Sequence, residues 1–121
     1  MHELSVALDL IDLALEEAER LGGVRVAALN VRVGPLSGVV SEALLSAFDL
    51  ATAGTSLEGA RLELTEEPIT AWCAGCGIAR TLPNAWSRVC STCGRPLHEV
   101  LTGDALELTS MEVEDRAPPH R

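Results

Sequence analysis

The residues best equipped for chemistry are four cysteines in two matching pairs, Cys73-Ala-Gly-Cys76-Gly77 and Cys90-Ser-Thr-Cys93-Gly94, with 13 residues between the pairs. Two residues between the cysteines of a pair let a tight turn aim both thiolates at one ion about 2.3 Å away. A glycine after each pair permits the positive φ that such a knuckle needs. Two facing knuckles complete a tetrahedron with no position left open, which makes the expected site structural rather than catalytic. Zinc is the expected ion, and a four-thiolate iron centre shares the same geometry. Disulfides and a thioredoxin-like dithiol fit less well. The first belong to oxidising compartments, and the second uses a single CxxC at a helix start. The segment has few large apolar side chains, so the metal is expected to supply most of its folding energy, on the order of 10 kcal/mol.

The second candidate lies at the other end of the sequence. His2 follows Met1, so the α-amine, the deprotonated amide nitrogen of His2 and its imidazole could close fused chelate rings, with the Glu3 carboxylate adjacent. Square-planar nitrogen sets of this kind suit Ni(II) or Cu(II). Taken alone, a terminal His is as readily a solvated side chain. His98, after the second knuckle, is a candidate outer neighbour of the cysteine site, and His120 falls in the C-terminal tail.

The elements that must position these groups follow from periodicity. Residues 4 to about 20 read as an amphipathic helix with Leu4, Leu8, Ile11, Leu15 and Ala18 on one stripe. Ser5, Asp9, Asp12, Glu16 and Glu19 form the opposite, polar stripe, and Gly22–Gly23 closes the helix. Val24 to Val33 reads as a strand whose phase changes at Ala27–Ala28, a signal for a bulge or a two-sided strand. A turn at 34–38 leads to a second helix over about 39–53, expected to bury Val40, Leu44, Ala47, Phe48 and Ala51. Strands are expected at 61–67 and 104–113, with the cysteine segment inserted between them. The fold class is therefore α+β, a small three-stranded mixed sheet with two helices on one face. An inserted four-cysteine, zinc-ribbon-like subdomain completes it. In domain terms, residues 1–68 and 101–114 form an α/β domain, residues 69–100 the zinc-binding subdomain, and residues 115–121 a disordered tail.

Composition narrows the function. The 121 residues suffice for one modest core, and only 2% are aromatic, so that core must be aliphatic. The net charge is −9 and all nine basic residues are Arg, a balance opposed to general nucleic-acid binding. No apolar stretch reaches the roughly 18 residues of a membrane span, and His2 and Glu3 stand where a secretory signal would be basic. The expected location is the cytoplasm. No nucleophile–base pair stands out, so the chain is not read as an enzyme. The alternative to metal delivery is a zinc-ribbon module that binds protein or nucleic acid, for which Arg80, Arg88 and Arg95 are the only basic residues of the segment.

Several stretches together resemble the HypA/HybF family of hydrogenase nickel-incorporation proteins: Met1-His2-Glu3-Leu4-Ser5, Val33-Gly34-Pro35-Leu36-Ser37-Gly38-Val39, Gly54-Thr55, Glu58-Gly59-Ala60, the two CxxC pairs, and Gly103-Asp104-Ala105-Leu106-Glu107-Leu108. The resemblance extends from Met1 to about Val113. It implies a nickel metallochaperone for maturation of [NiFe]-hydrogenase, and in some organisms urease. Ni(II), the transported ion, is then held at Met1, His2 and Glu3, and structural Zn(II) at Cys73, Cys76, Cys90 and Cys93. The implied partners are a maturation GTPase of the same pathway and the precursor of the hydrogenase large subunit, with neither nucleic acid nor membrane involved. A homodimer and a monomer both remain open. One departure stands out: some members place His after each CxxC, where this chain has Gly77 and Gly94. A zinc-site switch that depends on those histidines lacks its residues here.

Overall fold

The computed structural model describes residues 2–114. The order of elements is α1 (His2–Arg20), β1 (Arg25–Val33), a 3-10 turn (Pro35–Ser37), α2 (Ser41–Thr52), β2 (Arg61–Glu66), β3 (Ile69–Cys73), β4 (Ile78–Leu82), β5 (Glu99–Thr102) and β6 (Leu106–Glu114). Two three-stranded sheets result, ordered β2-β1-β6 and β4-β3-β5. The α+β class and the cysteine insertion between the second and last strands of the first sheet agree with the sequence reading. The second sheet is an addition. Its strands are four or five residues long, too short to impose a visible period on the cysteine-rich segment. The expected tail, 115–121, and His120 within it lie outside the described residues, as does Met1.

Ion pairs indicate the strand directions of the first sheet. Arg25 faces Glu114 and Arg32 faces Glu107, so β1 and β6 run antiparallel. The Glu67 N–H donates to the Val33 carbonyl at 2.9 Å where β1 and β2 both end, as expected of parallel neighbours. The sheet is therefore mixed.

The chain divides into two compact units. The first takes its described residues from 2–31, 40–64 and 108–114. Here α1 packs on α2. The helix buries Ala7, Leu10, Ile11, Ala14 and Ala18, whereas Leu4, Leu8 and Leu15 are partly exposed. The expected polar stripe is indeed exposed, but the buried stripe is rotated from the expected one. Leucines stand on both flanks of this helix, and alanines at 7, 14 and 18 face the core, a placement that periodicity alone does not register. In α2 the buried residues are Leu44, Ala47, Phe48 and Thr52, while Val40, at the N-cap, is 58% exposed. Strand β1 buries Val26 and Ala28, then Leu29, Val31 and Val33, so the phase change falls at Ala28–Leu29, one position later than expected.

The second unit comprises 32–39 and 65–107. Its core is Ile69, Ala71, Cys73, Leu82, Cys90 and Leu97. Two backbone segments of this unit meet without side chains between them. The Gly34 N–H donates to the Ala105 carbonyl and the Leu36 N–H to the Gly103 carbonyl, each at 2.8 Å. A Cβ on Gly34 would lie 2.2 Å from the Gly103 carbonyl oxygen, so only glycine fits.

Candidate metal centre

The four cysteines converge. Strand β3 delivers Cys73 at its end, and β4 pairs antiparallel with β3, with Cys73 opposite Ile78, Ala71 opposite Arg80 and Ile69 opposite Leu82. The chain between Cys73 and Ile78 is thus forced into a tight turn that carries Cys76. At its close the Gly77 N–H donates to the Cys73 carbonyl at 2.8 Å, with Gly77 at φ +71°. The second knuckle repeats this design. The Gly94 N–H donates to the Cys90 carbonyl at 2.8 Å, with Gly94 at φ +76°. A β-bridge between Val89 and Pro96 closes the base of that loop.

All four Sγ atoms lie within 4.8 Å of one another. Cys73 Sγ is 3.5 Å from Cys93 Sγ, and Cys76 Sγ is 3.8 Å from Cys90 Sγ. Thiolates bound tetrahedrally at about 2.3 Å stand roughly 3.8 Å apart, whereas a disulfide needs about 2.05 Å. All four cysteines are free, so the group fits a metal and not a pair of crosslinks.

The electrostatics agree. Backbone N–H groups of Cys93 and then Thr92 hold the Cys90 thiol down to about 6. The Arg95 N–H draws Cys93 down as well, but the neighbouring Cys73 sulfur and burial outweigh it and push Cys93 up to about 11. Thiols this close cannot all ionise without a cation among them. A divalent metal would supply that charge, and the four-cysteine group fits a metal site. His98, a candidate neighbour of the site by sequence, is exposed.

Two arginines that the sequence reading treated only as basic charge also border the site. Arg80 lies beside the Cys76 and Cys90 sulfurs, and hydrogen bonding to them, to Cys76 first, raises its pKa above the ordinary guanidinium value. Arg95 crosses Gly75, where a Cβ would meet Arg95 Cδ and Nε at 2.8 Å and Cys93 Sγ at 3.2 Å. The alternation of Arg80 with Leu82 could have revealed the first, had β4 been recognised as a strand.

The N-terminal candidates belong to the other unit. His2 is the first residue of α1 and is exposed. Glu3 turns towards α2, where its Oε2 accepts the Val40 N–H at 3.0 Å. That bond holds the Glu3 carboxyl below the usual carboxylate range.

Residues 1–113 match the family described as hydrogenase/urease nickel incorporation, metallochaperone, HypA. The chain belongs to the HypA family. A HypA relative named hydrogenase maturation factor from Roseiflexus sp. (strain RS-1) is 45% identical over 118 residues, covering 98% of this chain and 96% of its own. Another of that name, from Azotobacter vinelandii, is 38% identical over 114 residues, covering 94% of this chain and all 100% of its own. A solution structure of a HypA protein superposes with a TM-score of 0.70 at 26% identity, covering 94% of this chain and 97% of that one. The solution structure of the Ni metallochaperone HypA from Helicobacter pylori gives a TM-score of 0.66 over 92% of this chain and 96% of that one. At 22% identity, this second likeness is one of fold. As a HypA family member, the chain is a nickel-incorporation metallochaperone with a four-cysteine metal site. Among the described residues, no helix is long and apolar enough to cross a membrane.

Proposed function

We propose that this chain binds Ni(II) through the Met1 amine, the His2 amide and imidazole, and Glu3. It delivers that ion to the precursor of a [NiFe]-hydrogenase large subunit in the cytoplasm, and in hosts that have urease to that enzyme as well. The four cysteines hold structural Zn(II), and a GTPase of the same maturation pathway works with the chain. The observation that carries this reading is the placement of His2 as the exposed first residue of α1. The first four N–H groups of a helix have no acceptor within it. The His2 amide can therefore give up its proton to a metal without costing α1 a hydrogen bond. An ion held beside the exposed His2 exchanges ligands readily, as delivery requires. Raw affinity favours Cu(II) over Ni(II), so selectivity rests on metal supply and partner docking. Nickel binding weakens as pH falls, because the metal needs the neutral imidazole.

The test is metal analysis of the parent and a His2→Ala variant after exposure to Ni(II). One zinc per chain is expected in both, with nickel taken up by the parent alone. Equal nickel uptake by the variant, or by protein carrying an N-terminal extension, would sink the terminal site. Iron in place of zinc would overturn the assignment of the cysteine centre.

A further inference from the structure

We propose that Arg80 is a positioning residue for the four-thiolate centre, its guanidinium donating N–H···S hydrogen bonds to Cys76 and Cys90 that make those sulfurs poorer nucleophiles once metal is bound. The register places it there. Paired residues on neighbouring strands point to the same face, and Arg80 stands opposite Ala71, which is fully buried. That face also carries Ile69, Cys73 and Leu82, all buried, so the Arg80 side chain is directed into the cysteine core rather than into solvent.

A guanidinium directed inward needs acceptors. Arg20, Arg25, Arg32 and Arg61 each pair with a carboxylate. Arg80 pairs with no carboxylate among the described residues, and its Nε is buried without a hydrogen-bond acceptor. The acceptors left to the guanidinium are the Cys76 and Cys90 sulfurs, beside which it lies.

One divalent ion on four thiolates leaves a net charge of −2. Arg80 over Cys76 and Cys90, and Arg95 lying across Gly75 beside Cys93, bring two positive charges against it. A sulfur lone pair held by an N–H is less available to an electrophile, so metal release by thiol modification is slowed. The inference rests on the metal reading of the cysteines, and the test separates the two.

The test uses the full chain loaded with Co(II), and separately with Zn(II), as parent, Arg80→Ala, Arg80→Lys and Arg88→Ala. Arg88 is exposed on the same unit, so its loss changes the charge without touching a sulfur. One Co(II) per chain with tetrahedral d–d bands establishes the metal site itself, and its absence from the parent overturns that reading alone. In Arg80→Ala the sulfur-to-cobalt charge-transfer band is expected to move to lower energy. Zinc release under N-ethylmaleimide is expected to quicken about tenfold, the scale of one charge-assisted hydrogen bond. Arg80→Lys restores a charge without the fork and is expected to fall between, while Arg88→Ala matches the parent. Parent-like bands and rates in Arg80→Ala, or equal effects of Arg80→Ala and Arg88→Ala, overturn the proposal. If Arg80→Ala fails to take up cobalt, Arg80→Lys decides, and its identity with the parent in both measurements overturns the proposal too.

Discussion

Glu3 Oε2 accepts the backbone N–H of Val40 at 3.0 Å, joining the start of the first helix to the N-cap of the second. Val40 has no side-chain oxygen to cap α2, and its carbonyl already accepts the Leu44 N–H at 2.9 Å. A carboxylate from 37 residues away therefore does the work of a cap. The nickel-binding triplet proposed above is in this way tied to α2.

This contact sets a pH dependence. The Val40 N–H lowers the Glu3 pKa in the folded chain, so the folded state binds that proton less readily than the unfolded one. The resulting stabilisation is fully present above the unfolded carboxyl value and is lost as pH falls through the lowered folded value. In an NMR titration the Val40 amide proton is expected to shift with a midpoint below 4.5, the ordinary value for Glu. Glu3→Gln removes the titration. A Val40 amide that titrates unchanged in Glu3→Gln places the contact elsewhere.

The rotation of α1 is tested by two leucines. Leu10 is 2% exposed and Leu8 is 48% exposed. Leu10→Ala should cost about 2–5 kcal/mol in urea unfolding, and Leu8→Ala within roughly 0.5 kcal/mol. The reverse order would restore the stripe expected from periodicity.

The backbone contact at Gly34 admits no side chain. Gly34→Ala would drive a Cβ into the Gly103 carbonyl oxygen and the Asp104 nitrogen, neither of which can rotate away. A loss of about 1–3 kcal/mol or more is expected, read as a lowered thermal midpoint. An unchanged midpoint would mean that these segments can separate at little cost.

Removing Cys73, one of the four converging thiols and fully buried at the end of β3, is expected to act locally. Cys73→Ala should abolish stoichiometric metal binding and broaden the amide signals of β3, β4 and β5, because metal supplies on the order of 10 kcal/mol to such modules. The signals of α1 and α2 should persist. A chelator should reproduce the effect in the parent, and sharp β3–β5 signals in the variant would refute a metal-dependent fold.

Much of this was legible in order of residues alone. The cysteine spacing and the following glycines encode the metal site, because knuckle geometry is a property of a few adjacent residues. The polar stripe of α1, the glycine stop at 22–23 and the order of the two helices and the strands of the first sheet are also local, and the structure agrees with them. Other features depended on which surfaces meet. Alanines at positions 7, 14 and 18 face the core while Leu4, Leu8 and Leu15 are partly exposed, a choice set by what packs on α1. Three strands as short as β3, β4 and β5 acquire their identity from pairing with one another, not from a repeating pattern. Glu3 meets Val40, and Arg80 reaches Cys76 and Cys90, through separations that no local rule spans. The sequence by itself determined which four thiols could share one ion, because that lies in their type and spacing. Only the tertiary structure decided what surrounds them, because hydrogen bonds and charges act through space between residues distant along the chain.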